Sequence, residues 1–236
     1  MKLVLAIVFG AFISSCSVLK DKPSYEITEG RHVLTKGHQV YRNVYVVEEE
    51  DALKIYPLRK KDDQYIIDTL EQKPLLFNSS GFGYTGKPLT LRKTSLDIDF
   101  LTIPFKYRFP EKGFPRQFNA SLNGGVYFGY RTDVYRLSYE TNLLGRRERK
   151  ESHLGFSFGG YSGIGGTTMN PSVTNNNVNI EYDGVVWTNG LVTIMGVNRF
   201  TVGLALGWDG LMDKNRKYWI YQKQPWLGFV VGLNLN

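Results

Sequence analysis

The sequence predicts an all-β protein: an antiparallel transmembrane β-barrel of about eight strands, preceded by a small N-terminal β-rich extension. Long segments alternate large apolar residues with small or polar ones, at the period of two that belongs to strands. Glycine and aromatic residues are numerous, with 25 Gly, 15 Tyr and 14 Phe in 236 residues. The N-terminus has the pattern of an export signal, which leads the chain out of the cytoplasm.

The export signal is predicted over residues 1–15. Lys2 is followed by an apolar run, Leu3 to Ile13, that is too short to cross a membrane as a mature helix. The small residues Ser14 and Ser15 then precede Cys16, the only cysteine of the chain. This pattern resembles the lipobox of bacterial lipoproteins, in which signal peptidase II cuts before the cysteine. The resemblance implies that Cys16 carries acyl chains. An ordinary secretory signal with an incidental cysteine is the alternative.

A polar tether is predicted over residues 16–30, and a small β module over residues 31–90. Three short strands are expected in the module, at residues 40–47, 52–58 and 64–70, because apolar and β-branched residues cluster there between charged turns. Residues 91–236 are assigned to the barrel.

The first barrel strand changes its apolar phase at one point. Leu96, Ile98 and Phe100 share a face, after which Ile103, Phe105 and Tyr107 are expected to form the apolar face. A one-residue slip of this kind indicates a bulge, and Pro104, which lacks an N–H donor, stands at the slip.

Further strands follow in order, separated by polar or glycine-rich segments. We expect them at residues 118–131 with an extension over 134–139, 154–166, 185–197, 200–209 and 227–235, and loops at 109–115, 145–151, 169–183 and 210–225. With one or two strands expected between Leu75 and Arg92, the total approaches eight, the smallest number in single-chain bacterial outer-membrane barrels.

Aromatic residues lie near several predicted strand ends, where the interfacial girdles of membrane barrels are found. A soluble lipocalin-like barrel or sandwich explains the alternation equally well, but explains less well the strand length, the aromatic ends and the lipobox together. The layout, with its Trp226–Gly232 ending, resembles small outer-membrane β-barrel proteins of Gram-negative bacteria. The resemblance implies an outer-membrane location.

The polar face of the strands is predicted to point into the barrel lumen. Its members are Asp97, Asp99, Asn119, Asn123, Tyr127, Arg131 and Asp209. An eight-stranded barrel is narrow enough for side chains to fill, so we favour a hydrogen-bonded polar core, with Arg131 paired to carboxylates, over a solute path.

The sequence gives no pattern of catalytic, metal-binding or cofactor-binding residues, and we predict none. The histidines are His32, His38 and His153, and the neighbouring Ser152 should point away from His153 on an extended chain. The acidic run Glu48–Asp51 lacks the glycine hinge of a calcium loop and is expected to be a solvated turn.

These features predict a non-enzymatic outer-membrane lipoprotein with a structural or accessory role in the cell envelope. A lipid-modifying enzyme or a small channel in the same fold is the alternative. Lipids or lipopolysaccharide of the outer membrane, and other envelope proteins, are the expected partners. Nucleic acid is not expected despite the net charge of +7, because the charges are scattered and the chain is exported.

Overall fold

The computed structural model describes residues 27–36, 39–49, 52–67, 74–78, 88–111, 113–197 and 200–233. Over these residues the chain is all-β, and twelve strands join in one antiparallel sheet. The strands are β1 (Gly30–Lys36), β2 (Gln39–Glu49), β3 (Ala52–Lys61), β4 (Gln64–Ile67), β5 (Leu75–Asn78), β6 (Leu89–Arg108), β7 (Gln117–Ala120), β8 (Asn123–Thr141), β9 (Arg147–Met169), β10 (Tyr182–Val197), β11 (Phe200–Leu211) and β12 (Pro225–Leu233).

Six of these strands form a closed ring of pairings, here called the six-strand ring. β6, β8, β9, β10, β11 and β12 pair in that order, and β12 pairs back to β6. Starting at Ile98 of β6 and moving to the directly paired residue on each next strand, one circuit of the ring ends at Tyr107 of β6 and not at Ile98. This offset means that the strands are tilted, as ring closure requires. The expected count of about eight strands is not confirmed.

One edge of β6 is shared by two partners. Residues Leu89–Arg92 pair with β1, while Thr102–Arg108 pair with β12 on the same side of the strand. The strands β2, β3, β4 and β5 continue outward from β1. Part of β6 therefore belongs to the N-terminal strands and part to the ring, and the expected boundary near residue 90 falls within this continuous strand.

The ring has two distinct ends. The N-terminal strands, the 142–146 connection and the junction between β10 and β11 lie at one end, here called the terminal end. The loops 109–116, 170–181 and 212–224 lie at the other, here called the loop end. Connections are short at the terminal end and longer at the loop end.

The predicted bulge in β6 is present next to Pro104, but it follows Ile103 instead of preceding it. The β6–β12 register shifts between Phe229 and Val231, next to Pro104. Ile103 is fully buried, so its assignment to the outward apolar set is wrong, whereas Phe105 is exposed as expected. Because the slip follows Ile103, the inward positions after it are Lys106 and Arg108.

Burial in the ring is inverted relative to a soluble domain. Large apolar side chains are exposed on its outer face, with Leu204 at 67% and Phe128 at 55% exposure. The outward set also includes Leu96, Ile98, Phe100, Val126, Tyr130, Leu154, Phe156, Phe158, Ile164, Val185, Leu191, Val202, Leu206, Leu227 and Phe229. Charged residues lie inside instead, among them Lys106 and Asp209 at 0% exposure.

The interior has three apolar layers. A cluster at the terminal end joins the N-terminal strands to β6 and β8 through Leu34, Val46, Leu91 and Leu137, among others. A middle cluster around Tyr127, Tyr161 and Trp226 fills the ring. A third cluster at the loop end includes Val173, Trp219, Ile220 and Tyr221.

Loop 212–224, here called the cap, is folded inward rather than solvated. Trp219 and Tyr221 are buried, and the backbone N–H of Ile220 donates to the Val173 carbonyl at 3.0 Å. The expectation of a polar loop over residues 210–225 is therefore wrong for its aromatic centre.

Two other predicted loop boundaries change. Residues 147–151, expected in a charged loop, begin β9, and β3 continues through Lys61 instead of stopping at the basic run. Residues 1–26, with the signal, Cys16 and most of the tether, lie outside the described residues, as do His38, Glu50 and Asp51.

Candidate functional site

The centre of the ring interior is a buried ion cluster around Asp209. Asp209 of β11 accepts hydrogen bonds from Lys106 Nζ at 2.8 Å and from Arg108 Nη2 at 2.5 Å. Thr188 Oγ1 donates to the same carboxylate at 2.8 Å, and Trp226 Nε1 donates at 2.9 Å. One carboxylate thus binds two cations, which are held by the inward positions of β6 after the slip.

Asn123 ties this cluster to the start of β8. Lys106 Nζ donates to Asn123 Oδ1 at 2.8 Å, and Asn123 Nδ2 donates to the Ile103 and Ser121 carbonyls at 3.1 and 2.7 Å. The amide therefore accepts from the cation and also satisfies backbone carbonyls at the break between β7 and β8.

Arg108 connects the cluster to the cap. Its guanidinium carbon lies 5.0 Å from the ring centroid of Trp219 and 5.2 Å from that of Tyr221, distances typical of cation–π contact. Burial raises the pKa of the Tyr221 hydroxyl, although the positive charge of Arg108 opposes this shift. The second buried cation thus holds the aromatic cap against the ring.

A second polar cluster lies towards the terminal end. Asp133 Oδ1 accepts a hydrogen bond from Arg131 Nε at 2.9 Å and lies 2.7 Å from His153 Nε2. The His153 ring stacks on Tyr135 at 4.7 Å between centroids. This cluster joins β8 to β9 beneath the apolar layer of the N-terminal strands.

The predicted lumen residues are divided between these clusters. Asn123 and Asp209 meet at Lys106, and Arg131 pairs with a carboxylate as expected, that of Asp133. Tyr127 shares a hydrogen bond of 2.7 Å with Ser157, and Asp97 is buried.

Asp99 and Asn119 lie apart from the Asp209 cluster. Asp99 is half-buried and accepts from the Phe100 N–H at 2.7 Å. Asn119 is half-buried and lines a pocket of about 230 Å³ between β7 and the end of β9.

The site predicted from the sequence lacks Lys106, Arg108, Asp133 and the interior role of His153. The first two were detectable, because a phase slip at Pro104 turns Lys106 and Arg108 inward as it turns Phe105 and Tyr107 outward. The pairing of Asp133 with His153 depends on the β8–β9 register and has no local signal.

The positions of the histidines and serines bear on catalysis. His153 is buried and Ser152 is exposed, so the two side chains point to opposite faces as expected. The Ser157 hydroxyl, on the same face as His153, is bonded to Tyr127. The described residues contain no group of three or more His, Cys, Asp or Glu side chains that could hold a metal ion.

Comparison with known proteins gives no relative: no family model, curated protein or solved structure is significantly similar to this chain. Within the described ranges, no helix is long and apolar enough to span a membrane.

Proposed function

We propose that the protein is an outer-membrane β-barrel lipoprotein with a structural or accessory, non-enzymatic role in the cell envelope. The observation that carries this proposal is the inverted burial of the six-strand ring. Apolar side chains cover its outer face, while Lys106, Arg108 and Asp209 are enclosed. Exposed apolar surface on this scale is unfavourable in water, and it is the surface that a bilayer requires.

The closed ring supports the same proposal. Within hydrocarbon, an unpaired backbone N–H or C=O group costs several kcal/mol, so only helices and closed barrels span membranes. Each strand of the six-strand ring pairs with a neighbour on either side, and β6 meets β12 over Thr102–Arg108. Among the described residues, the same edge of β6 has no pairing between Lys93 and Leu101. In this proposal the six strands form the membrane wall, two fewer than in the smallest bacterial outer-membrane barrels, and β1–β5 extend from it into water.

The unequal ends give the proposed barrel an orientation. Outer-membrane barrels have short periplasmic turns and longer extracellular loops. We therefore place the terminal end in the periplasm, on the side where acyl chains on Cys16 would enter the inner leaflet. The basic residues of the 145–151 segment then face the periplasm rather than lipopolysaccharide, and any contact with lipopolysaccharide falls to the loop end.

The filled interior favours a structural or accessory role over conduction or catalysis. The charged groups at its centre are engaged with one another, and the cap packs over Arg108. Ser157, the serine on the same face of β9 as His153, is hydrogen-bonded to Tyr127.

A matched pair of arginine substitutions tests the barrel. Leu204, near the middle of β11, and Leu144, in the 142–146 turn, are both exposed, at 67% and 78%. An arginine on the lipid face near the bilayer centre costs about 2–4 kcal/mol, whereas one on a wet turn costs little. We expect Leu204→Arg to reduce the heat-modifiable, folded form in outer-membrane fractions and Leu144→Arg to leave it unchanged. Equal behaviour of the two variants, or no heat-modifiable form of the unsubstituted protein, would refute the barrel.

A further inference from the structure

A basic pocket of about 310 Å³ lies where β1 separates from β6 at the terminal end of the ring. It is lined by Arg31, His32, Val33, Asn43, Arg92, Lys93 and Thr94. Three of these residues are cations and none is acidic. The pocket is therefore strongly positive, and two neutral hydrogen-bonding side chains stand among its charges.

The cations of the pocket are not neutralised by carboxylates of the described residues. Lys93 Nζ donates to the Thr28 hydroxyl at 2.6 Å, and the Arg31 guanidinium lies 5.1 Å from the Tyr65 ring centroid. None of the ion pairs between described residues involves Arg31, Arg92 or Lys93. On the outer face, Arg31 and Arg92 therefore remain available to an anion.

The pocket also has a definite place along the outer face of the sheet. On β6 the exposed side chains follow one another as Arg92, Thr94, Leu96, Ile98 and Phe100. Along β6, the outer face therefore presents a cation, then a hydroxyl, and then three large apolar side chains. A phospholipid has the same order, with a phosphate followed by acyl chains.

We propose that this pocket binds the phosphate of a phospholipid headgroup in the leaflet nearest the terminal end. The assignment rests on the proposed membrane barrel. The guanidinium groups of Arg31 and Arg92, both on the outer face, match phosphate oxygens in bidentate geometry. Lys93 points to the inner face, where it is bonded to Thr28, and adds positive charge from there. Asn43 and Thr94 supply further donors, and the acyl chains lie along Leu96, Ile98 and Phe100.

Lipid binding to the purified full chain in detergent, followed by native mass spectrometry, tests the assignment. The probe is phosphatidylglycerol, and diacylglycerol serves as the probe without phosphate. A basic residue at a membrane surface contributes a factor of about five in binding. We expect Arg31→Gln/Arg92→Gln to weaken phosphatidylglycerol binding roughly 25-fold on that factor, and diacylglycerol not to bind.

The control variant is Arg136→Gln/Lys150→Gln, which removes the same charge from exposed positions of β8 and β9. It should bind phosphatidylglycerol as the unsubstituted protein does. An equal loss of phosphatidylglycerol binding in both variants, or no loss in Arg31→Gln/Arg92→Gln, would overturn the proposed binding pocket.

Competition by inorganic phosphate distinguishes a site for a lipid headgroup from a site for free phosphate. Weak competition by phosphate is expected for a lipid site, whereas full displacement of phosphatidylglycerol at equal concentration would overturn the lipid assignment. The barrel and the pocket can fail separately. Absence of a heat-modifiable form would refute the barrel, and with it the lipid assignment. Loss of phosphate binding in Arg31→Gln/Arg92→Gln would still support an anion-binding pocket.

Discussion

The Asp209 carboxylate is the residue on which the charged interior depends. Replacing it with Asn would leave Lys106 and Arg108 buried without an anion, and breaking a buried ion pair in this way costs about 3–5 kcal/mol. We expect Asp209→Asn to lower the free energy of unfolding by that amount, measured by urea unfolding of the detergent-folded protein with tryptophan fluorescence. Asp183→Asn, on an exposed position of β10, is the control and should stay within 0.5 kcal/mol, roughly the range of surface substitutions. Similar losses in both variants would contradict the ion cluster.

Gly159 and Gly160 are adjacent in β9, and substituting each of them tests which face of the strand is inside. A Cβ atom on Gly159 would collide with the backbone of Phe128 and Gly129, whereas one on Gly160 would meet nothing within 4 Å. We expect Gly159→Ala to destabilise the fold by about 1–3 kcal/mol, the usual cost of overpacking, and Gly160→Ala to be nearly neutral. Urea unfolding of the two variants side by side measures the difference. The reverse order would mean that β9 is turned the other way.

His32 of β1 should make the stability of the N-terminal strands depend on pH. Burial lowers the pKa of His32 from 6.5, with Lys93 adding to the shift, while the Gly30 carbonyl and Asp133 oppose it. Below pH 6.5 the unfolded chain binds a proton that the folded chain does not, so stability falls by up to about 1.4 kcal/mol per pH unit until the folded pKa is reached. We expect amide hydrogen exchange in β1 and β2, corrected for the intrinsic exchange rate, to report lower protection at pH 5.5 than at pH 7.5.

His32→Gln supplies the control for that experiment, since Gln does not titrate in this range. The variant should lose most of the difference in protection between the two pH values. A pH dependence that persists unchanged in His32→Gln would assign it to another group.

Strand faces were predictable from the sequence because alternation is a local property. The outward positions of Leu96, Phe128 and Phe156 follow from period two alone. Ile103 was misassigned because an apolar residue next to a bulge suits either face, and only the β12 register decides. The pairing of Lys106 and Arg108 with Asp209 joins residues about a hundred positions apart, so it follows from ring closure and not from any local pattern.

The N-terminal strands and the cap were harder to place for a related reason. Charged ends made β2 and β3 resemble a separate soluble module, yet Leu34 and Val46 share a cluster with Leu91 and Leu137 of the long strands. The cap has a polar composition. Its burial comes from Trp219, Ile220 and Tyr221, and the two aromatic rings pack over Arg108. Both placements come from tertiary contacts.

The whole molecule combines two environments along one set of strands. Towards the terminal end, β6 and β8 bury apolar residues such as Leu91 and Leu137 inside, as a soluble domain does. Farther along the same strands, charged residues join apolar ones inside and the outside becomes apolar, with Asp97 buried beside exposed Leu96 and Ile98. We infer from this reversal that the strands leave water and enter a bilayer between Arg92 and Leu96.

The proposed lipoprotein would have two independent means of membrane attachment, the apolar outer face of the ring and acyl chains on Cys16, and substitution of Cys16 removes only the second. We expect Cys16→Ser to abolish incorporation of labelled palmitate, because the acyl acceptor is gone. The same variant should still yield a heat-modifiable form in the membrane fraction, since a membrane barrel would bury its apolar outer face in lipid without the anchor. Leu204→Arg should show the opposite result, with labelling retained and the folded form reduced. If Cys16→Ser instead became fully soluble, the acyl chains would be the sole attachment and the ring would lie outside the bilayer.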